Sequence, residues 1–104
     1  MVKNKIETIQ KTIAPHFPTF KKKYHVKRMG IFGSVARGTN KKGSDLDILV
    51  EFDSPIGFFQ FIRLEKFLEK VTGRKVDLVS KKALKPFAKK EVLKEVLYLH
   101  EKKH

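Results

Sequence analysis

Cysteine is absent from the 104-residue chain. That excludes disulfides and thiolate metal sites, and a reducing cytoplasm is the compartment that fits. No apolar run approaches the length of a membrane span, so no membrane association is expected. The opening Met-Val-Lys-Asn-Lys leads into a polar amphipathic segment rather than a signal peptide. Repeats, low-complexity tracts and long linkers are also missing, so residues 1–104 are expected to form one domain. Acidic residues are scarce: 11 Asp and Glu stand against 24 Lys and Arg, a formal net charge of +13. Such a field attracts polyanions such as nucleic acid, nucleoside triphosphates or an acidic protein, and it equally describes a solvated lysine-rich surface. The basic residues spread over the chain, in Lys21-Lys22-Lys23, Lys41-Lys42, Lys81-Lys82 and Lys89-Lys90, and no arginine-rich stripe stands out. No aromatic-interleaved motif points to RNA. What is plentiful is apolar: 40% of residues, nine of them Phe, enough for one packed core.

Periodicity orders the chain. Ile6, Ile9 and Ile13 recur at helical spacing, and Phe17, Phe20 and Tyr24 suit a second helical piece beyond Pro15 and Pro18. Val26 to Phe32 reads as a strand ending at Gly33, followed by a short helical turn, Ser34 to Arg37, closed by Gly38. The polar stretch 39–44 is a loop, and Asp45 to Phe52 is a second strand. Ser54 suits an N-cap with Pro55 at the first helical position, for a helix running to about Val71 with Gly73 as its C-terminal cap. Phe61, Leu64, Leu68 and Val71 form its stripe, widened by Phe58, Ile62 and Phe67, and some of that width has room for another subunit. Lys75 to Val79 reads as a third strand. The remainder reads as helix, broken near Pro86, with Val92, Val96 and Leu99 on one face. A helical connection favours parallel pairing of strands two and three, and the short first connection permits antiparallel pairing. The expected class is α/β (α+β), a small mixed sheet flanked by helices.

Three of these elements carry groups suited to one chemistry. Asp45 and Asp47 stand two apart at the head of an apolar run, so a strand points both to one face. Like charges so close repel unless a cation lies between them. Ten residues separate Asp45 from Gly33-Ser34, which ends the first strand; such a turn into a helix presents N–H groups suited to phosphate, and glycine lets the backbone approach closely. Arg37, one turn on, can add charge toward a triphosphate. Asp77 interrupts the apolar third strand, where burial without a partner would cost free energy. Asp45, Asp47 and Asp77 together suit one or two Mg²⁺ ions, which prefer hard oxygen ligands and retain waters. Two such ions stabilise the attacking and leaving oxygens of a displacement at phosphorus.

The segment GSVARGTNKKGSDLDILV resembles the active-site signature of the DNA polymerase β-like nucleotidyltransferase superfamily, and its GSxARG opening resembles the minimal nucleotidyltransferases, the MNT group. The resemblance covers roughly residues 26–80. It implies the polymerase β-like nucleotidyltransferase fold, with ATP and Mg²⁺ bound and a nucleoside monophosphate passed to an acceptor hydroxyl as pyrophosphate leaves. Asp45 and Asp47 then correspond to paired metal ligands, Asp77 to a third catalytic carboxylate, and Gly33 and Ser34 to the phosphate turn. It also implies a partner, a HEPN-type helical toxin, with the nucleotidyltransferase as antitoxin that adenylylates it. Occlusion of the toxin without catalysis, and an RNA-directed nucleotidyltransferase, are the rival functions.

Blander roles stand beside these. Asp45 and Asp47 fit a solvated strand entry, Asp77 an ion pair with lysine, Ser34 a helix cap, and Arg37 a pair with an acidic strand residue. His100 and His104, four apart, fit a solvated tail better than a metal site, and His16 and His25 have no evident partner.

Overall fold

Spacing at three and four residues draws Ile9 and Ile13 to one side of α1 (Val2–Ile13), where both are buried. The computed structural model describes residues 2–101, with side chains from residue 5 onward; His104 lies outside them. Pro15 sits in a 3₁₀ turn (Ala14–His16) that leads into α2 (Phe17–Tyr24). His16 packs its ring edge-on against Phe67 at 5.4 Å, which supplies the partner its sequence neighbourhood does not show. His25 ends α2 in the left-handed region (φ 57°) and turns the chain into β1 (Val26–Phe32).

After β1 come α3 (Gly33–Arg37), β2 (Leu46–Phe52), α4 (Phe58–Thr72), β3 (Val76–Ser80), a 3₁₀ turn (Lys81–Ala83), α5 (Pro86–Glu95) and β4 (Leu97–Tyr98). The sheet order is β3-β2-β1-β4. β1 lies antiparallel to both β2 and β4, and β2 lies parallel to β3. Alternation sends Met29, Ile31, Leu46, Ile48 and Val50 into one buried cluster with Ile13, Phe20, Leu64 and Leu68 of the helices. The fold is therefore a mixed four-stranded sheet with helices packed on one face. The other face carries Arg28, Gly30, Asp47, Leu49, Glu51 and Asp77 by register. β3 is an edge strand, and α4 covers part of that edge: Leu78 N–H donates to Glu65 (2.9 Å) and Val76 N–H to Glu69 (3.1 Å). Among the described residues no helix is long and apolar enough to cross a membrane.

Three expectations give way. The helix after β2 starts at Phe58 with Gly57 as its cap, not at Ser54-Pro55, which lie in the bend and extended segment leaving the strand. Phe58, placed in the apolar stripe by spacing, is then in the first turn and 71% exposed, whereas Leu64 and Leu68 are fully buried. The end of the chain is not continuous helix. Val96 leaves the helical region (ψ 136°), Leu97 and Tyr98 pair with Ile31 and Gly30, and Leu99 N–H donates to Met29 O at 2.8 Å. Leu99 reaches the core from an extended segment rather than from a helical stripe.

Gly30 makes that pairing possible. A Cβ at this position would meet Val96 Cγ2 at 2.6 Å, Leu97 O at 3.1 Å and Tyr98 Cδ1 at 3.2 Å. The Val96 methyl can rotate away, but the Leu97 carbonyl belongs to the ladder. Gly30→Ala is expected to destabilise the fold by about 1–3 kcal/mol by overpacking. Urea denaturation checks this, and unchanged stability would mean that β4 is not held against β1.

Candidate active site

Phe32, extended at φ −137°, is the last residue of β1, and the next residue turns sharply. Gly33 has φ +76°, where side-chain-bearing residues are strained, and opens the five-residue α3. A Cβ on Gly33 would overlap Asp47 Oδ2 and stand 3.0 Å from Asp47 Cγ. The turn and the carboxylate are therefore in contact, with no room for a side chain between them. Ser34 is not a cap: Phe32 occupies the cap position, with no side-chain hydrogen bond, and the Ser34 hydroxyl has no partner among the described residues. Gly38 (φ +78°) ends the turn, its N–H directed to the Ser34 and Val35 carbonyls.

Strand register assembles the rest. Asp47 lies opposite Phe32 on one side and beside Asp77 on the other. Asp45 stands just ahead of β2, which begins at Leu46 rather than at Asp45. Asp45 and Asp77 are exposed and Asp47 is half-buried. Asp77 thus needs no partner to repay burial, because it is exposed. In a chain with 24 cationic side chains, none of Asp45, Asp47 or Asp77 forms an ion pair among the described residues. The lysine partner considered for Asp77 is not there. Further along the same face Glu51 is neutralised twice, by Arg28 (2.7 Å) and Lys81 (3.5 Å).

Electrostatics single out Asp47. Burial pushes its carboxyl above the ordinary value near 3.8, Asp77, Asp45 and Glu95 push it further, and Arg37 opposes them. An acid strained this way by its neighbours is relieved by a cation. Among the described residues no group of three or more His, Asp or Glu side chains is gathered closely enough to hold a metal outright. Mg²⁺ takes hard oxygen ligands, one or two carboxylates together with waters and substrate phosphates. The donor set is hard oxygen, and Asp45, Asp47 and Asp77 are the residues able to supply it.

Sequence reasoning missed Glu95. Gly33 N–H donates to Glu95 Oε2 at 2.8 Å, and Arg37 Nη1 donates to Glu95 Oε1 at 3.0 Å and Oε2 at 3.2 Å. Arg37 thus pairs with the end of α5, not with an acidic strand residue. The run Val96-Leu97-Tyr98-Leu99, rich in strand-forming residues, was the available signal. Read as a strand, it places Glu95 at a helix–strand junction instead of inside a helix. A separate cleft of about 790 Å³, bordered by Lys27, Phe58, Lys81 and Lys89, lies at the far end of β2 around Glu51 and Phe52, away from the carboxylates.

Comparison with known proteins bears on this geometry. Residues 16–99 match the family model described as a nucleotidyltransferase domain. A protein adenylyltransferase MntA from Thermococcus cleftensis is 40% identical over 94 residues, covering 90% of this chain and 95% of that one. A solved structure described as a minimal nucleotidyltransferase superposes with a TM-score of 0.74 at 34% identity, covering 88% of this chain and 93% of the other. A Shewanella oneidensis MNT antitoxin, solved in complex with a tri-AMPylated HEPN toxin, shares the fold (TM-score 0.61, 19% identity, 98% of this chain and 74% of the other).

Proposed function

Since the chain belongs to the nucleotidyltransferase domain family, we propose that it transfers AMP from ATP, with Mg²⁺, to a hydroxyl on a partner protein, and that the partner is a HEPN-type toxin which it restrains as antitoxin. The observation that carries this reading is the contact between the Gly33 turn and Asp47, beside carboxylates that form no ion pair among the described residues. A phosphate held by the turn stands next to the groups that would hold its metal.

Each residue then has a part. The Ser34 hydroxyl and the N–H groups of α3 that follow Gly33, whose own N–H is held by Glu95, donate to the triphosphate oxygens. Arg37 sets a positive charge one turn behind them. Asp45 and Asp47 are the residues that would hold Mg²⁺, which would offset charge on the attacking and leaving oxygens. Asp77, exposed beside Asp47, accepts the proton of the incoming hydroxyl as the oxygen bonds to the α-phosphorus and pyrophosphate departs. Its exposure suits an acceptor presented by another protein. The adenylyltransferase relative and the AMP-bearing toxin of the structural neighbour support both the group transferred and the kind of acceptor.

The test is a mass measurement. The chain is incubated with ATP, Mg²⁺ and a HEPN-type toxin, and the toxin is expected to gain the mass of one or more AMP groups. A partner of unchanged mass, with both proteins folded, would refute transfer.

A further inference from the structure

We infer that Glu95 is a positioning residue of this site: its carboxylate bridges the Gly33 N–H and the Arg37 guanidinium, and so sets both the phosphate turn and the cation behind it. The inference rests on the nucleotidyl-transfer reading for what the turn binds, but the clamp itself is a matter of geometry.

Glu95 is the last residue of α5, and the chain immediately after it is pinned to β1 by the Leu97–Ile31 and Tyr98–Gly30 pairs and by Leu99 N–H on Met29 O. Its backbone is fixed by the sheet that also carries the turn. From there one oxygen takes Gly33 N–H at 2.8 Å and both take Arg37 at 3.0 and 3.2 Å. The first donors of a helix have no partner inside it. Glu95 satisfies that of Gly33, and the Ser34 hydroxyl stays free for a ligand. Gly33 is held from two sides, by Asp47 against its Cα and by Glu95 at its N–H. Arg37 is 53% exposed and would otherwise sample many rotamers; the carboxylate, 27% exposed, holds it. Charge-assisted bonds of this kind are the stronger ones and are geometrically specific.

The variants Glu95→Ala, Glu95→Gln and Glu95→Asp separate the contributions. Gln keeps a carbonyl for Gly33 N–H and loses the charge facing Arg37. Asp keeps the charge and withdraws it by one methylene, and it serves as the test of reach should Ala fold poorly. Gly33 amide exchange, followed by NMR without nucleotide, is expected to quicken at least about tenfold in Ala and Asp and to stay near wild type in Gln. KM for ATP is expected to rise about 10- to 100-fold in Ala, with a smaller loss in kcat, and about threefold in Gln. A purely structural role would lower Tm in all three while the folded enzymes kept their KM. Wild-type Gly33 exchange and wild-type KM in folded Glu95→Ala would overturn the inference and leave the transfer reading intact. Tighter ATP binding by Glu95→Ala would overturn it too, because the carboxylate would then be a competitor for the phosphate. If the wild type transfers no AMP yet Gly33 exchange and ATP affinity still respond to Glu95, the transfer reading fails and the positioning role stands.

Discussion

Asp45→Asn with Asp47→Asn is expected to lower the proposed AMP transfer by about 10³-fold or more, since it removes the charge proposed to hold a metal at the reacting phosphate. The same substitution is expected to make the protein more stable. Asp47 is half-buried, close to Asp77 and Asp45, and without an ion pair among the described residues. Its folded-state pKa is raised, so the stability it contributes is complete below the unfolded value and is lost as pH rises through the folded one. At neutral pH the ionised carboxylate therefore strains the fold, and Asn of nearly the same shape removes the strain. Thermal unfolding at pH 7 without divalent metal should show Tm raised by about 2–5 °C, with the gain vanishing below about pH 4. Added Mg²⁺ should stabilise the wild type and not the double variant. A less stable variant, or equal stabilisation by Mg²⁺, would show that these carboxylates do not form a strained cation site. Neutralisation of the partner should fall together with transfer; neutralisation surviving in full would favour occlusion.

Local pattern and distant contact divide what could be read from the residues. Gly33, Ser34, Asp45 and Asp47 stand out in the sequence because each proposed role follows from near neighbours: a turn at a strand end, and two acids at strand spacing. The β1–β2 and β2–β3 pairings follow in the same way from connection length. β4 does not. A two-residue strand has too little sequence of its own to signal pairing, and what permits it is the missing side chain of Gly30, far away in the chain. Glu95 was hidden for the same reason, since its partner Gly33 lies 62 residues earlier. For Asp77 the position was legible and the reason was not: burial suggested a need for ligands, yet the residue is exposed, and what marks it is register with Asp47. Phe58 shows the converse error, because helical spacing continues into a first turn that the sheet does not reach.

Gly33→Ala is expected to abolish detectable ATP binding and to destabilise the fold, and it tests the contact between the turn and Asp47. Two costs add. The residue has φ +76°, where an alanine pays about 1 kcal/mol or more in backbone strain. Its Cβ would also overlap Asp47 Oδ2, the oxygen of a carboxylate flanked by β1 and β3. Relief requires Asp47 to rotate off its strand position or the turn to lift from β2, and either movement separates the turn proposed to hold phosphate from the carboxylate proposed to hold metal. The combined loss is expected to be about 2–4 kcal/mol by urea denaturation. Gly33→Ala combined with Asp47→Gly removes the overlap and should recover part of the stability, by about 1 kcal/mol or more. It should recover no transfer, because the carboxylate is gone. Additive losses in the pair would mean that turn and carboxylate are not in contact, and the phosphate and metal sites would then have to be assigned separately.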